Sequence, residues 1–263
     1  MHWNVEPVIF HLGPLGIRWY GLFFATGVLL GAHAIPRVFE QRGLDRRDGE
    51  RLVLWLALGM ILGAHLIHLI FYEPRSFLYN PVRIVELGRG LASHGGGLGA
   101  IAALLLYCRR RRLDFHRHAD ASMMGALWVI PFVRIGNFFN SEIVGRATDL
   151  PWAVIFDRRG DGIARHPSQI YESLTGFAIL ALALWLNKKY AARMRAGSLL
   201  YLTLFLYFLT RFLLEYVKEY QVLPTDFPLT MGQCLSLPIA LGCAYLLLFT
   251  KRFRLFPFLR GRE

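Results

Sequence analysis

Apolar residues along the chain gather into long runs near 17–36, 52–71, 93–108, 120–139, 169–186, 197–217 and 231–250. A helix needs about 20 mostly apolar residues to cross the hydrocarbon of a bilayer, and each run approaches that length. Two of them, 93–108 and 120–139, are interrupted by Gly, Pro or charge and fall short of a strict hydropathy threshold. The polar stretch 141–168 holds most of the turn-forming residues, among them Asp149-Leu150-Pro151 and Arg159-Gly160-Asp161-Gly162. The pattern predicts an all-α integral membrane protein of about seven transmembrane helices. It forms a single transmembrane domain over 1–263 with a small outer (periplasmic) cap at about 141–168. No repeat of 20–50 residues and no inverted symmetry between halves is visible.

Composition agrees. The chain has 263 residues, 55% of them hydrophobic, and its mean hydropathy is +0.38. A second, soluble domain has no room. Lys and Arg number 30 against 18 Asp and Glu, a net charge of +12. Without a nucleic-acid-binding motif, that excess reads as cytoplasmic loop charge facing anionic lipid rather than as a nucleic-acid surface. The basic residues fall into alternate connections: Arg37 to Arg51, Arg109 to Arg117, Lys188 to Arg195 and Lys251 to Arg262. The positive-inside rule makes that side cytoplasmic, which puts the N-terminus out and the C-terminus in. The first residues lack a basic n-region, so the first apolar run is expected to be a retained helix rather than a cleaved leader. Cys108, Cys234 and Cys243 form no metal-ligand spacing and read as packing residues.

Charge at membrane depth costs about 2.5–3.5 kcal/mol per group on insertion scales, so each such group needs a reason. Here they crowd the outer ends of the predicted helices: Arg18 and Tyr20, His65 and His68, Ser93-His94-Gly95-Gly96-Gly97, Arg134 to Glu142, and Arg211 with Glu215. One outward-facing polar site is the economical reading. The densest stretch is Arg134-Ile135-Gly136-Asn137-Phe138-Phe139-Asn140-Ser141-Glu142-Ile143-Val144-Gly145-Arg146. On a helix, Arg134 shares a face with Asn137, and Asn137 with Asn140. The guanidinium offers a planar fork suited to phosphate, and Asn and Glu add donors and acceptors.

That stretch is similar to the signature of prolipoprotein diacylglyceryl transferases. Six further segments resemble the same family in the same order. They are Gly13-Pro14-Leu15-Gly16-Ile17-Arg18-Trp19-Tyr20-Gly21, Ser93-His94-Gly95-Gly96, Asp149 to Ala153, Arg165 to Glu172, Arg211 to Glu215 and Thr230-Met231-Gly232-Gln233. The resemblance implies transfer of a diacylglyceryl group from phosphatidylglycerol to the lipobox cysteine thiol in the signal peptide of a preprolipoprotein. A thioether forms, glycerol 1-phosphate leaves, and neither metal nor organic cofactor takes part. The expected location is the bacterial inner membrane, in contact with membrane lipids and with the active site toward the periplasm. His94 is implied as the base for the thiol, Arg134 and Arg211 as partners of the leaving phosphate, and Tyr20 as a further catalytic group. Asn137, Asn140, Glu142, Gly145, Glu215, Gly95, Gly96 and His65 are implied in substrate binding. Lateral entry of both substrates is expected, with the Gly-rich second and third spans as gates.

Two positions depart from the family pattern. His65 stands in Gly63-Ala64-His65 where an arginine is expected. Val217-Lys218-Glu219-Tyr220-Gln221 follows Glu215 where an arginine and then Pro-Asp are expected. Loss of a bidentate fork is not conservative at a phosphate site. A divergent, non-catalytic lipid-binding paralogue is therefore the alternative reading. An anion transporter is a further one, disfavoured because the polar groups crowd one half of the membrane.

Overall fold

The computed structural model describes residues 1–74, 79, 80, 82, 84, 86, 92–219 and 228–250. Seven long helices account for most of them: α1 Trp19–Gln41, α2 Arg46–Phe71, α3 Ser93–Arg111, α4 Phe115–Phe139, α5 Ser168–Tyr190, α6 Ser198–Leu214 and α7 Met231–Phe249. Six of these elements are long and apolar enough to cross a membrane, the sixth helix counted through Val217. The remaining one is α3, whose glycines and terminal arginines dilute its apolar content. The segment around 120–139 meets the criterion after all, because the helix that contains it starts at Phe115 and holds an apolar window. Large apolar side chains such as Leu29, Leu54, Leu58, Leu241 and Leu248 point outward. Exposed apolar side chains of this kind are what lipid solvates. The chain is a mostly helical, multi-pass membrane protein. Among the basic clusters read from sequence, Lys251 to Arg262 lies outside the described residues, as do Tyr220 and Gln221.

Short strands, absent from the sequence reading, flank the helices. β1 His2–Trp3, β4 Val154–Phe156 and β5 Ala164–Arg165 form a three-stranded sheet in the order β1-β4-β5. β1 runs parallel to β4, with His2 opposite Ile155 and Trp3 opposite Phe156. β2 Val8–Leu12 and β3 Leu15–Arg18 make a hairpin whose turn uses Gly13 at φ +60. Leu12 pairs with Leu15 across a two-residue loop, the length at which a left-handed residue matches the twist of the strands.

Contacts divide the chain into two compact units, Met1–Ala34 with Met123–Glu263, and Ile35–Ser122. In the second unit α2 and α3 meet backbone to backbone. A Cβ on Gly99 would strike the carbonyl oxygen of Gly59, and one on Gly95 would strike that of Gly63. Small residues permit such an approach in membrane helices, where dispersion and Cα–H···O contacts replace the hydrophobic effect. At the basic end of the same unit, Asp45 caps α2 by accepting from the Arg47 N–H. Asp120 pairs with Arg42 at 2.9 Å, both side chains buried. Asp48 accepts from the Tyr107 hydroxyl at 2.7 Å and faces Arg111 at 3.3 Å. Buried carboxylates persist only when matched in this way.

In the first unit α1 and α4 also approach closely, since a Cβ on Gly31 would meet the Gly125 carbonyl and one on Gly136 would meet Tyr20. Beneath β1 and β4, Phe138, Val144, Val154 and Phe156 form a buried core against which Trp3 packs, its ring 4.4 Å from that of Phe138.

The α2–α3 approach sets an expectation. Gly99→Val should lower the thermal midpoint of the detergent-solubilised protein by roughly 5 °C, since overpacking costs about 1–3 kcal/mol. Gly97→Ala, on the same helix with no neighbour within 4 Å of its Cβ position, should leave the midpoint unchanged.

Candidate active site

Helix α4 ends in a turn that the rest of the site is built around. The amides of Asn140, Ser141 and Glu142 donate to the carbonyls of Gly136, Phe138 and Asn137 at 3.0 Å each. Ser141 and Ile143 then take left-handed backbone, φ 58 and 55. A β-branched residue there is strained, at a cost of about 1–3 kcal/mol. The first turn of α5 holds it in place: Ser168 Oγ donates to the Ile143 carbonyl at 2.8 Å and Gln169 Nε2 to that of Glu142 at 2.6 Å. The turn brings the Glu142 carboxylate back over α4, where it accepts from Asn137 Nδ2 at 3.4 Å and Asn140 Nδ2 at 3.3 Å. Asn137 Oδ1 in turn accepts from Arg134 Nη1 at 3.5 Å. Three polar atoms beside this turn, Asn140 Oδ1, Ser141 Oγ and Gln169 Oε1, are buried without a hydrogen-bond partner.

Arg134 is largely buried and forms an ion pair with Glu172 of α5 at 3.1 Å. The Tyr207 hydroxyl of α6 also contacts its guanidinium. Tyr20, whose ring lies against the space left by Gly136, is within electrostatic reach of both Glu142 and Arg134. One turn before the end of the helical stretch, Arg211 faces Glu215 at 3.8 Å. Arg134, Glu172, Thr175, Tyr207, Thr210 and Arg211 line one small crevice. The sequence-predicted Tyr20, Arg134, Asn137, Asn140, Glu142, Arg211 and Glu215 are therefore gathered around the ends of α1, α4, α5 and α6.

Glu215 is buried, and its surroundings account for Thr230-Met231-Gly232-Gln233. Its carboxylate accepts from Thr230 Oγ1 at 2.9 Å and Lys218 Nζ at 3.0 Å. Thr230 and Gln233 form a reciprocal capping box at the start of α7, where a carboxylate also meets the positive end of the helix dipole. Gly232 is required because a Cβ there would collide with the Glu215 carboxyl. Lys218 also reaches Glu172, at 2.7 Å. Sequence reasoning noted Lys218 only as a departure and Glu172 only inside a motif. The signal available was Glu172 itself, an acid near the start of an apolar helix that demands a cation.

Gly145 lies where three backbone segments cross. Its amide donates to the His166 carbonyl at 3.0 Å, it bridges Lys218, and a Cβ would strike His166 and the Val217 carbonyl. His166 contacts the Tyr171 hydroxyl at 3.3 Å, to which Trp152 Nε1 donates at 2.7 Å. Next to this crossing Arg165 binds Asp161 at 2.8 Å and Glu219 at 3.0 Å. The Arg165 hydrogen bond, with those from the Ile163 amide and Arg159, holds the Asp161 carboxyl down to about 2.

The remaining sequence-predicted residues belong to the second unit. His94 is exposed in the first turn of α3. Gly95 and Gly96 sit against α2, Gly95 over the Gly63 carbonyl and Gly96 over Met60. His65 is buried, its Nε2 3.1 Å from the Ile84 carbonyl.

The chain matches the family model described as prolipoprotein diacylglyceryl transferase over residues 7–249. It is 37% identical over 255 residues to the phosphatidylglycerol–prolipoprotein diacylglyceryl transferase of Tolumonas auensis, covering 96% of this chain and 98% of the relative. The protein of the same name from Bordetella bronchiseptica is 38% identical, covering 95% and 97%. That from Chloroherpeton thalassium is 40% identical, covering 90% and 89%.

Two outcomes are expected from this geometry. Gly145→Ala should separate the crossing segments, lowering the thermal midpoint by several degrees through an overpacking cost of about 1–3 kcal/mol. The Asp161 carboxyl is depressed in the folded state from an ordinary 3.8. Its stabilising contribution is therefore complete above that value, declines as pH falls and is lost by about 2. Amide exchange at Ile163, followed down to that pH, should accelerate through this window. In Asp161→Asn it should already be fast at neutral pH.

Proposed function

The chain belongs to the prolipoprotein diacylglyceryl transferase family, and from that premise we propose how its residues divide the work. The enzyme transfers a diacylglyceryl group to prolipoproteins. Its donor is phosphatidylglycerol and its acceptor the lipobox cysteine of the signal peptide. Catalysis takes place at the periplasmic face of the bacterial inner membrane, in a single transmembrane domain of seven helices with the N-terminus out and the C-terminus in. Helix α3 is the seventh span, sheltered from lipid on its glycine face by α2, and residues 141–168 form the outer cap.

The thiol must lose its proton, because the thiolate is the nucleophile. That task is given to His94, whose imidazole is exposed and belongs to the side-chain type most often used as a general base. The thiolate sulfur attacks the glyceryl carbon that carries the phosphate ester. A C–S bond forms, the C–O bond breaks, and its electron pair leaves on glycerol 1-phosphate. Arg134 and Arg211 meet the charge that develops on the leaving phosphate. Guanidinium groups fixed beforehand in a site shielded from water suit that task. Asn137, Asn140 and Glu142 orient the glycerol headgroup with the Tyr20 hydroxyl beside them.

The observation that carries this reading is the pair of arginines on one crevice at the ends of α4 and α6. Purified protein mixed with phosphatidylglycerol and a lipobox peptide should yield a diacylglyceryl mass gain and free glycerol phosphate. Arg134→Ala should reduce the rate by about 10²–10³-fold. Arg134→Lys should recover little of it, because the planar fork is missing. His94→Ala should lose the transfer while still binding glycerol phosphate. A folded wild-type protein that gives no mass gain beside an active relative would refute the assignment.

A further inference from the structure

Lys218 follows the short 3-10 turn Glu215–Val217 in extended backbone, φ −88 and ψ 152. Its main chain is pinned: it bridges Gly145, and its carbonyl accepts from Arg146 Nε at 2.8 Å. The side chain, only 3% exposed, carries its ammonium to Glu172 at 2.7 Å and Glu215 at 3.0 Å. Ion-paired charges therefore alternate in sign in the order Arg134, Glu172, Lys218, Glu215, Arg211, and Arg134, Glu172 and Arg211 of this series line the crevice. A buried lysine is costly unless matched, and this one has two carboxylates.

Three cations share two carboxylates, and the lysine makes the shorter contacts. Arg134 Nε is 3.1 Å from Glu172 Oε2, yet that oxygen accepts no aligned hydrogen bond. Arg211 stands 3.8 Å from Glu215. Without the lysine, two carboxylates and two arginines would pair one to one, and bidentate pairing would occupy the forks. We propose that Lys218 is a positioning residue that engages Glu172 and Glu215, so that Arg134 and Arg211 keep free donors and this series of five ion-paired groups keeps one surplus positive charge for a phosphate. A phosphodiester carries one negative charge, whereas a phosphate monoester carries about −1.5 to −2 at neutral pH. The surplus thus favours the leaving group over the arriving lipid. A compact ammonium with three donors can serve two carboxylates at once, which gives the departure from arginine at this position a physical role.

The inference rests on the reading that this crevice receives phosphate, so binding and transfer are measured separately. Glycerol 1-phosphate is titrated into the detergent-solubilised full-length protein, followed by phosphorus NMR, and transfer kinetics with phosphatidylglycerol and a lipobox peptide are recorded alongside. Lys218→Met should weaken glycerol phosphate binding on the order of tenfold, as loss of one nearby charge implies. Lys218→Met combined with Glu172→Gln restores the charge surplus and should recover most of that loss. A purely structural lysine predicts no such recovery. Glu172→Gln alone should bind glycerol phosphate severalfold more tightly than wild type, a result that does not depend on Lys218→Met folding. Wild-type affinity in folded Lys218→Met, no recovery in the double variant, or no tightening in Glu172→Gln would each overturn the proposal. Wild-type protein that binds glycerol phosphate with the expected variant pattern but transfers nothing would refute the transferase reading and leave the role of Lys218 standing.

Discussion

Polar groups in a membrane interior have no water to fall back on, so each must find its partner within the protein. That constraint organises this chain at every scale. It makes the spanning segments helices, whose backbone bonds close internally, and it governs the charged side chains still more strictly. Arg42 with Asp120, Asp48 with Tyr107 and Arg111, and Glu172 and Glu215 with their three cations are all matched sets at helix ends. At the basic end the two arginines that face Asp48, Arg51 and Arg111, are half exposed and solvated. The cations of the crevice set are mostly buried, and this difference separates structural pairing from a site that can receive an anion.

The same solvent explains the glycines. Lipid tails are as apolar as leucine, so helices gain little by burying apolar surface against one another and must approach closely to bind. The Gly59–Gly99 and Gly63–Gly95 contacts do this for α2 and α3, and Gly31 with Gly125 for α1 and α4. Near the site, missing side chains admit functional groups instead: Gly136 makes room for Tyr20 and Gly232 for the Glu215 carboxylate. Glycines that look alike in the sequence thus serve two purposes, and only their neighbours tell them apart. In this light Gly95 and Gly96 also serve the packing of α3 against α2, where Cβ atoms would meet the Gly63 carbonyl and Met60.

Much of this was legible from the chain alone because membrane helices announce themselves by composition. The long apolar runs located each helix, though the polar first turns at Arg46 and Phe115 and the last turn at Gln41 lay outside them. The run beginning at Arg134 marked the site because polar groups at membrane depth have few innocent explanations. What escaped reading depended on partners distant in sequence. β1 and β4 are two and three residues long, pair across more than 150 positions and carry no periodicity of their own. Lys218 read as a departure because its type could be seen but not the two carboxylates it touches. The left-handed conformation of Ile143 runs against the preference of a β-branched residue, and it exists only because Ser168 and Gln169 hold it. Glu215 was implied as a substrate contact, and its position at the start of α7 adds structural partners in Thr230 and Lys218.

The parallel pairing of β1 with β4 bears on how the protein is made. His2 and Trp3 leave the ribosome well before their partners Ile155 and Phe156, which follow only after α4 has been synthesised. At about 5–20 residues per second the first strand waits on the order of ten seconds for its mate. Both must by then be on one side of the bilayer. The sheet can therefore close only if the helices between its strands, α1 to α4 among the described residues, return the chain to the side where Trp3 waits for its aromatic neighbours.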